Sequence, residues 1–499
     1  MRLIFFILFF FPLPVFSQLE IAKIFSSNMV LQRDKPIPVW GNAIAGCKIE
    51  IRLGSDIWTT VAGKNSAWIV YLPKQTATLQ PQTLTISCGD TAVQLHNILI
   101  GDIWLCIGQS NMEWPMKKEM HYKDEIKNSN QTLLRFYNPT YAGKNIFAAM
   151  FTDSVSAMLT ADNFYKGHWQ SCDSSSFKNM SATAYYFGKQ VAGEINVPIG
   201  LINLSIGGAP LETFIDLETL KASKLFAEKS KGDWLINNKL PVWIRERGKV
   251  NVGSLQNVPT DEYGKNHAFK PGFAYEAGIK PILRMPIKGI VCYQGESNAQ
   301  ETDRVNEYAG LSKLMIDDYR SKWKQPHLPF YFVQLSSIDT GKYKGHLWPQ
   351  FRNEQRKMLQ FISYSGMAVC SDIGAKDDVH PVNKKEVGER LARWALNKTY
   401  KQNVVPSGPL PLSAKYENGK IIVSFQYMAY GLKSSDGKIL RGFSIDGKNN
   451  VEASFGDSGI IIPANSKPEF IYYGWKPFSD GNLVNSENLP VSTFKIPIK

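Results

Sequence analysis

The spacing of hydrophobic and polar residues changes along the chain and divides it into regions of different predicted structure. In residues 18–99 the two kinds alternate over short segments, which is typical of β-strands with one buried face. Gly, Pro and Asn residues separate these segments and predict turns. We therefore expect a β-sandwich-like module over residues 18–99. The alternating segments are residues 35–41, 47–53 and 82–88.

From residue 100 to 404 the pattern changes to continuous apolar runs that alternate with helical stretches. Two of these stretches, 301–324 and 384–399, repeat apolar residues at helical spacing. Apolar runs between helices are typical of parallel strands that are covered on both faces. We therefore predict an α/β domain of three layers with a parallel five-stranded sheet, in which ligands bind beyond the carboxyl ends of the strands. The runs are residues 103–107, 199–206, 287–293, 330–335 and 367–373.

Two further stretches complete this division. Residues 211–280 lack a clear period and are too long for a plain connection, so we expect an excursion over the sheet edge that lines a substrate pocket. Proline-rich residues 406–411 mark a linker, and the strand-like segments beyond it predict an all-β module over residues 405–499. The α/β domain is thus flanked by N- and C-terminal all-β modules.

The N-terminus has the features of a secretory signal peptide. Arg2 precedes an apolar stretch, residues 3–16, and the small residue Ser17 precedes a predicted cleavage site before Gln18. The stretch is short for a membrane span, and no later run is long and apolar enough to be one. We expect residues 1–17 to be removed and the mature protein to be periplasmic or extracellular.

Export would permit disulfides among the six cysteines. Cys47 and Cys88 both lie in the N-terminal module and could pair there. Cys106, Cys292 and Cys370 lie inside apolar runs, where a buried free thiol is expected.

The composition and charge limit the classes of partner. The chain is 43% hydrophobic and 20% charged, as in a globular protein, and its net charge is +13. Lys and Arg are spread along the chain without a run of five or more, which argues against a nucleic-acid partner. No Cys and His residues have the spacing of metal ligands, so the sequence predicts neither a metal nor an organic cofactor.

A short motif at residues 108–112 carries the first candidate for chemistry. It reads Gly-Gln-Ser-Asn-Met and follows the apolar run 103–107. A glycine turn at a strand end exposes the hydroxyl of Ser110, and a helix that follows directs its free backbone N–H groups at the reaction centre. Ser110 is therefore the candidate nucleophile. Because serine after glycine is common in turns, the assignment depends on a base and an acid elsewhere in the chain.

His380 and Asp377 supply that base and acid. Both lie on the loop between the run 367–373 and the helical stretch 384–399, at the same predicted sheet edge as Ser110. A histidine that activates a serine needs one nitrogen for the serine proton and a carboxylate on the other. An aspartate three residues before the histidine allows both side chains to converge, which favours Asp377 over Asp378.

Two more strand ends offer donors for an oxyanion hole, together with the backbone N–H of Ser110. Gly207 and Gly208 follow the run 199–206, and without a Cβ their backbone can approach a substrate closely. Gln294 and Asn298 follow the run 287–293, and either side-chain amide could donate to a developing oxyanion.

These motifs together resemble the sialate O-acetylesterase family of SGNH-type serine hydrolases, and the likeness extends over nearly the whole mature chain. The resemblance implies an esterase that removes O-acetyl groups from sugars, typically from the glycerol side chain of sialic acid. It implies Ser110 as nucleophile, His380 as base and Asp377 as its partner, with Ser110, Gly207 or Gly208, and Gln294 around the oxyanion. The residues that carry it are 108–112, 207–208, 293–299 and 377–380, with residues 29–36, 473–475 and 488–490 in the flanks.

The substrate is less closely defined by the sequence. Sialic acid is an anion, so an arginine is expected beside it, and Arg245, Arg247 and Arg284 are candidates by position. Gln109 and Glu296 are further candidates for substrate binding. The alternative enzyme is an acetylxylan-type esterase acting on plant or other polysaccharides, and a non-catalytic carbohydrate-binding protein is a third interpretation. The last would have no reason to retain serine, base, acid and oxyanion donors together.

Overall fold

The computed structural model describes residues 19–341 and 343–499. The predicted signal peptide, residues 1–17, lies outside the described residues. The chain has a mixed α/β fold with a large mixed sheet and additional β modules. Within the part of the chain that the structure describes, no helix is long and apolar enough to cross a membrane.

A mixed sheet lies at the centre of the fold. The described residues contribute seven strands to its main path, of which six run parallel and the edge strand Trp169–Cys172 runs antiparallel to its neighbour. In spatial order the strands are Trp169–Cys172, Gln131–Tyr137, Ile199–Asn203, Thr91–Gly108, Gly289–Tyr293, Phe330–Gln334 and Ser365–Val369.

All five predicted runs contribute parallel strands, but the sheet has more strands than the five predicted. Gln131–Tyr137 pairs in parallel with Ile199–Asn203, and Trp169–Cys172 extends the sheet beyond it. The first of these contains Arg135, which is buried and donates from Nη1 to two backbone carbonyl groups. A buried charge in the middle of a strand interrupts the apolar run by which such a strand is recognised.

The strand Thr91–Gly108, which we call the serine strand, belongs to two sheets. Its first half pairs antiparallel with Thr78–Cys88 of the N-terminal module, and its second half lies between parallel strands of the central sheet. One continuous strand therefore crosses residue 99, the predicted domain limit. The other strands of the module are Leu19–Ile21, Val30–Gln32, Ile37–Ala43, Lys48–Leu53, Asp56–Val61 and Ala67–Leu72.

In the described part of the chain, four long helices flank the central sheet as two packed pairs. Ala182–Ile195 packs against Lys385–Trp394, and Thr302–Lys322 packs against Trp348–Phe361. Thr302–Lys322 and Lys385–Trp394 are the two helices that the sequence predicts. The short helices are Ser110–Glu113, Tyr122–Glu125, Asp153–Ala157, Ser174–Phe177, Leu217–Ala222 and Val242–Gly248.

Residues 211–280 form a compact excursion in place of a regular element. It contains the helix Val242–Gly248 and a small hairpin, Thr260–Asp261 with Gly264–Lys265. Trp234 is buried in its centre, and the indole N–H donates to a backbone carbonyl of the hairpin at 2.8 Å. The excursion is therefore held together by its own packing, although its sequence has no period.

The C-terminal module has a hydrophobic core of its own. It contacts the central domain through Arg352, whose buried guanidinium donates to the backbone carbonyls of Gly474 and Pro477. Its strands are Leu410–Glu417, Lys420–Gln426, Leu432–Ser434, Phe443–Ser444, Ser454–Gly456, Gly459–Pro463, Phe470–Tyr473, Leu483–Asn485 and Phe494–Pro497.

The cysteines follow their predicted environments. A disulfide joins Cys47 to Cys88 within the N-terminal module. Cys106, Cys292 and Cys370 are buried free thiols in the central domain.

Candidate active site

The serine strand ends at Gly108, where the chain turns into the short helix Ser110–Glu113. Gly108 has a φ of 138°, and a Cβ there would lie 2.1 Å from the carbonyl oxygen of Tyr293. Only glycine fits this turn without displacing backbone. The turn makes Ser110 the first residue of a helix, where its backbone N–H has no intrahelical acceptor.

The side chains of Ser110 and His380 are in direct contact. Ser110 Oγ lies 2.8 Å from Nε2 of His380. His380 reaches this point from the histidine loop, residues 374–384, which lies beyond the last parallel strand. Its ring stacks on Trp114, with the centroids 5.3 Å apart and an angle of 18° between the planes. This packing holds the imidazole with Nε2 directed at the serine hydroxyl.

The carboxylate on the other ring nitrogen belongs to Asp378, whereas the sequence predicts Asp377. Oδ1 of Asp378 lies 3.1 Å from Nδ1 of His380 and accepts a 2.8 Å hydrogen bond from the backbone N–H of His380. An aspartate two residues before the histidine can fold back onto both groups, as in an Asx turn. With the ring proton on Nδ1, Nε2 is available to accept the serine proton.

The surroundings of His380 favour its neutral form. Burial lowers the pKa of His380 below its usual value, because an imidazolium is poorly solvated there. The carboxylate of Asp378 raises the same pKa, and the cations Lys384 and Lys118 lower it further. A neutral imidazole near neutral pH is the form that a general base requires.

The glycine turn at 207–208 lies beside the end of the serine strand. Ile206 donates its backbone N–H to the carbonyl of Gly108 at 3.0 Å, which fixes the turn there. The N–H of Gly207 is occupied, since it donates to the hydroxyl of Tyr141 at 3.0 Å. The N–H groups of Gly208 and Ser110 have no acceptor in residues 19–341 and 343–499. Of the two glycines predicted as donors, Gly208 is therefore the one that remains available.

The two predicted amide donors are committed to a buried network. Nε2 of Gln294 lies 2.8 Å from Oδ1 of Asn298 and 3.2 Å from the carbonyl oxygen of Ala209. Nδ2 of Asn298 donates to the carboxylate of Glu212 at 2.9 Å. Because these amide groups are paired and buried, the structure places Gln294 and Asn298 behind the oxyanion site as support for its loops, which corrects the prediction that they donate directly.

Gln109 also has a supporting position in place of the predicted substrate contact. It is buried, and its Oε1 accepts hydrogen bonds from the backbone N–H groups of Ser297 at 3.2 Å and Gly295 at 3.4 Å. These bonds tie the residue before the serine to the loop after the strand Gly289–Tyr293. The position of Ser110 is thereby fixed from the neighbouring strand end.

A buried network of three polar side chains lies beneath the Ser110–His380 pair. Asn111 donates from Nδ2 to Glu296 Oε1, and its Oδ1 accepts from Nζ of Lys384. Glu296 and Lys384 are 2% and 0% exposed. Burial raises the pKa of Glu296 to about 7 and lowers that of Lys384 to about 7. Glu296 is thus inside the site and not at a surface where it could bind sugar hydroxyls.

The other two members of this network, Asn111 and Lys384, are not among the residues predicted from the sequence. Asn111 directly follows the candidate nucleophile, so the motif itself was a signal for it. Lys384 has no such signal, because a lysine beside a helix start is ordinarily a solvated surface residue.

A cleft of about 670 Å³ lies next to the site and is separated from the glycine turn by the side chain of Trp243. Its lining includes the aromatic residues Trp243 and Tyr343, the cations Arg247 and Lys344, and the carboxylates Glu246 and Glu301. Trp243 connects the cleft to the site, since its Nε1 donates to Ser297 Oγ at 3.0 Å and lies 3.4 Å from the carbonyl oxygen of Gly208. The guanidinium of Arg247 lies 4.7 Å from the centroid of the Trp243 ring. The excursion that was predicted to line a pocket therefore supplies one wall of this cleft.

The other two predicted arginines do not line the cleft. Arg245 directs its Nε at the carbonyl oxygen of Leu240, 3.3 Å away, and Arg284 is exposed on the surface. Arg247 is the member of the predicted set that the structure places at the cleft. In the described residues, no group of three or more His, Cys, Asp or Glu side chains is arranged to hold a metal ion.

Comparisons with known proteins identify similar chains of one enzyme class. Residues 267–397 match the family described as carbohydrate esterase, sialic acid-specific acetylesterase. The sialate O-acetylesterase of Homo sapiens is 26% identical over 422 residues, which cover 78% of this chain and 73% of that protein. The sialate O-acetylesterase of Rattus norvegicus is 25% identical over 426 residues, which cover 78% and 75%.

A solved structure extends this similarity to the whole fold. A carbohydrate acetylesterase from Xanthomonas citri matches with a TM-score of 0.78 and 27% sequence identity. The match covers 96% of this chain and 99% of the other, so it includes the flanking β modules as well as the central sheet.

Proposed function

We propose that this chain is a carbohydrate esterase of the group that includes the sialate O-acetylesterases, and that it removes O-acetyl groups from sialic acid through a covalent intermediate on Ser110. The observation that carries the proposal is the 2.8 Å contact between Ser110 Oγ and His380 Nε2 at the carboxyl end of a parallel sheet. A serine hydroxyl is a weak nucleophile until an adjacent base takes its proton.

In the first half of the reaction, Ser110 Oγ attacks the carbonyl carbon of the acetyl group. Its proton passes to Nε2 of His380, and the resulting imidazolium is stabilised by Asp378 on Nδ1. The negative charge on the carbonyl oxygen is accepted by the backbone N–H groups of Ser110 and Gly208. One such donor is typically worth about 3 kcal/mol of transition-state stabilisation.

The intermediate then collapses and is hydrolysed. The bond between the acetyl carbon and the sugar oxygen breaks, and His380 returns its proton to the sugar alcohol as it leaves. Water next attacks the acetyl-serine, His380 takes one proton from it, and acetate leaves while Ser110 recovers its hydroxyl. The chain's own residues supply every group that this sequence of steps requires.

The substrate is proposed to be an anion that binds in the cleft beside Gly208. The family described for residues 267–397 and the named relatives support sialic acid. Arg247 places its guanidinium 4.7 Å from the centroid of the Trp243 ring, and Lys344 adds a second positive charge to a lining that also contains Glu246 and Glu301. A planar guanidinium matches a carboxylate in shape and charge. We therefore propose Arg247, in place of Arg245 or Arg284, as the residue that binds the sugar carboxylate.

A neutral acetylated polysaccharide such as xylan is the second candidate substrate, since the solved relative is named only as a carbohydrate acetylesterase. Turnover should be compared on sialic acid acetylated on its glycerol side chain and on acetylated xylan. The proposal predicts a higher kcat/KM on the sialic acid ester. A higher value on xylan would replace the proposed substrate with the second candidate.

Arg247→Gln tests the charge directly. Loss of a charge-assisted hydrogen bond of about 1.5–3 kcal/mol should raise KM for the acetylated sialic acid about 10- to 150-fold. A neutral chromogenic acetyl ester should be hydrolysed as by the wild type. Arg245→Gln, on the same helix but outside the cleft lining, is the matched control. Equal effects of Arg247→Gln on both substrates would contradict a carboxylate-binding role.

We further propose that the protein is exported and that its central sheet and helices form an SGNH-type three-layer core. The Cys47–Cys88 disulfide supports export, because disulfides persist in oxidising compartments. Fractionation of cells that express the full chain would test the first point, and retention in the cytosol would contradict it.

A further inference from the structure

We propose that Lys384 is a positioning residue for this reaction, because it joins the histidine loop to the helix of the nucleophile through the side chain of Asn111. The inference rests on the proposed function. It concerns how the base and the nucleophile are kept in contact, and it assigns Lys384 no contact with substrate.

Lys384 is unusual because its side chain is completely buried and is joined to the nearest carboxylate, Glu296, only through the amide of Asn111. Its exposed fraction is 0%, and no carboxylate oxygen lies within 4.0 Å of Nζ in the described residues. Nζ donates to Oδ1 of Asn111. It also lies 5.6 Å from the ring centroid of Trp114 and 5.4 Å from that of Tyr293. Two aromatic faces and one amide oxygen thus contact the ammonium group, and the carboxylate of Glu296 favours its charge from farther away.

Asn111 is the residue through which this contact reaches the reacting pair. Its Nδ2 donates to the backbone carbonyl of Val379 at 2.9 Å, directly before His380. The same nitrogen donates to Glu296 on the loop after the neighbouring strand. Lys384 and Asn111 therefore clamp the histidine loop on both sides of His380, at Val379 and at Lys384. Loss of either contact would free the loop to move away from Ser110.

The clamp also places a positive charge near the base. The groups that face His380 are Asp378 from its own loop, Lys384 from the start of the next helix, and Lys118 and Trp114 from the chain after the nucleophile. Asp378 raises the pKa of His380, and the two lysines lower it. Replacing Lys384 by a neutral residue should therefore raise the pKa of His380, which is an effect that a purely space-filling side chain would not produce.

The test is Lys384→Met, which keeps the length of the side chain and removes its charge and its donor. On a chromogenic acetyl ester we expect kcat to fall at least tenfold while KM stays within twofold of wild type. The acid limb of the kcat/KM profile should move to higher pH. Lys385→Met, which alters the exposed neighbouring lysine, should match the wild type in all three values.

Either of two results would overturn the inference. One is a wild-type kcat for Lys384→Met, and the other is a reduced kcat with an unmoved acid limb, which would indicate a packing role alone. If Lys384→Met is not recovered folded, Asn111→Ser cuts the same clamp from the other side. It should lower kcat at least tenfold with little change in KM, and a wild-type kcat in that variant would also refute the clamp. Ser110→Ala, assayed on the same ester, tests the proposed function independently of the clamp.

Discussion

Replacing Asp378 by asparagine tests the most specific difference between the sequence motif and the structure. The motif spacing favours Asp377 as the partner of His380, whereas the structure places the carboxylate of Asp378 on Nδ1. Asp378→Asn keeps the size of the side chain and removes its charge. Asp377→Asn makes the same chemical change one residue earlier in the same loop, so the two variants form a matched pair.

The expected magnitude follows from the separation and exposure of the two groups. At 3.1 Å, Coulomb's law gives about 5 kcal/mol at an effective dielectric constant of about 20, and about 1.3 kcal/mol in bulk water. The Asp378 side chain is 58% exposed, so solvent screens the pair and the lower part of this range applies. A loss of about 1.5–3 kcal/mol in the transition state corresponds to about 10- to 150-fold in kcat.

The assay is steady-state hydrolysis of a chromogenic acetyl ester, with circular dichroism to establish that each variant is folded. We expect Asp378→Asn to lower kcat by the factor above with little change in KM, because the imidazolium that Asp378 stabilises exists only during the reaction. Asp377→Asn should lower kcat less than threefold. A larger loss for Asp377→Asn than for Asp378→Asn would refute the pairing and restore the assignment made from the motif.

Two further predictions follow from the turn and from the base. Gly108→Ala should abolish activity and lower the melting temperature, because its Cβ would lie 2.1 Å from a backbone oxygen. The control is Gly193→Ala, at an exposed helical site with no atom within 4 Å of the new Cβ. It should stabilise the fold by about 0.5–1 kcal/mol. The acid limb of the pH profile of kcat/KM should be centred below the usual histidine pKa of about 6.5, since burial lowers the pKa of His380 and protonation removes the base. An acid limb centred above pH 7 would contradict that account of the base.

The sequence predicts the parallel strands and the general site because both depend on local patterns. A strand buried on both faces must be apolar, and a catalytic loop at its end must change abruptly to Gly, Ser, Asn or Asp. The strand Gln131–Tyr137 is not recognised in this way because Arg135, whose Nη1 donates to nearby backbone carbonyls, places a buried charge within it. The predicted domain limit at residue 99 does not coincide with a break in the structure, because the serine strand pairs with strands of both sheets.

The site residues likewise divide into those with a local sequence signal and those defined only by tertiary contacts. Ser110 and His380 can be paired from sequence because each follows a strand of one sheet. Their partners cannot be identified from the sequence, because the donor that faces a substrate is determined by tertiary contacts, which the spacing of residues does not reveal. Gln294 has the right residue type and strand end, yet its amide is paired within the buried network. Lys384 has no sequence signal because its burial results from tertiary packing around it.

The most direct test of the central claim is covalent labelling with a fluorophosphonate followed by peptide mapping in a mass spectrometer. Such a reagent reacts with a serine that an adjacent base has activated. We predict one label per chain, located on Ser110, with turnover lost in proportion to labelling and no label in Ser110→Ala. A label on another residue, or an enzyme that keeps its turnover after Ser110 is fully labelled, would contradict the account.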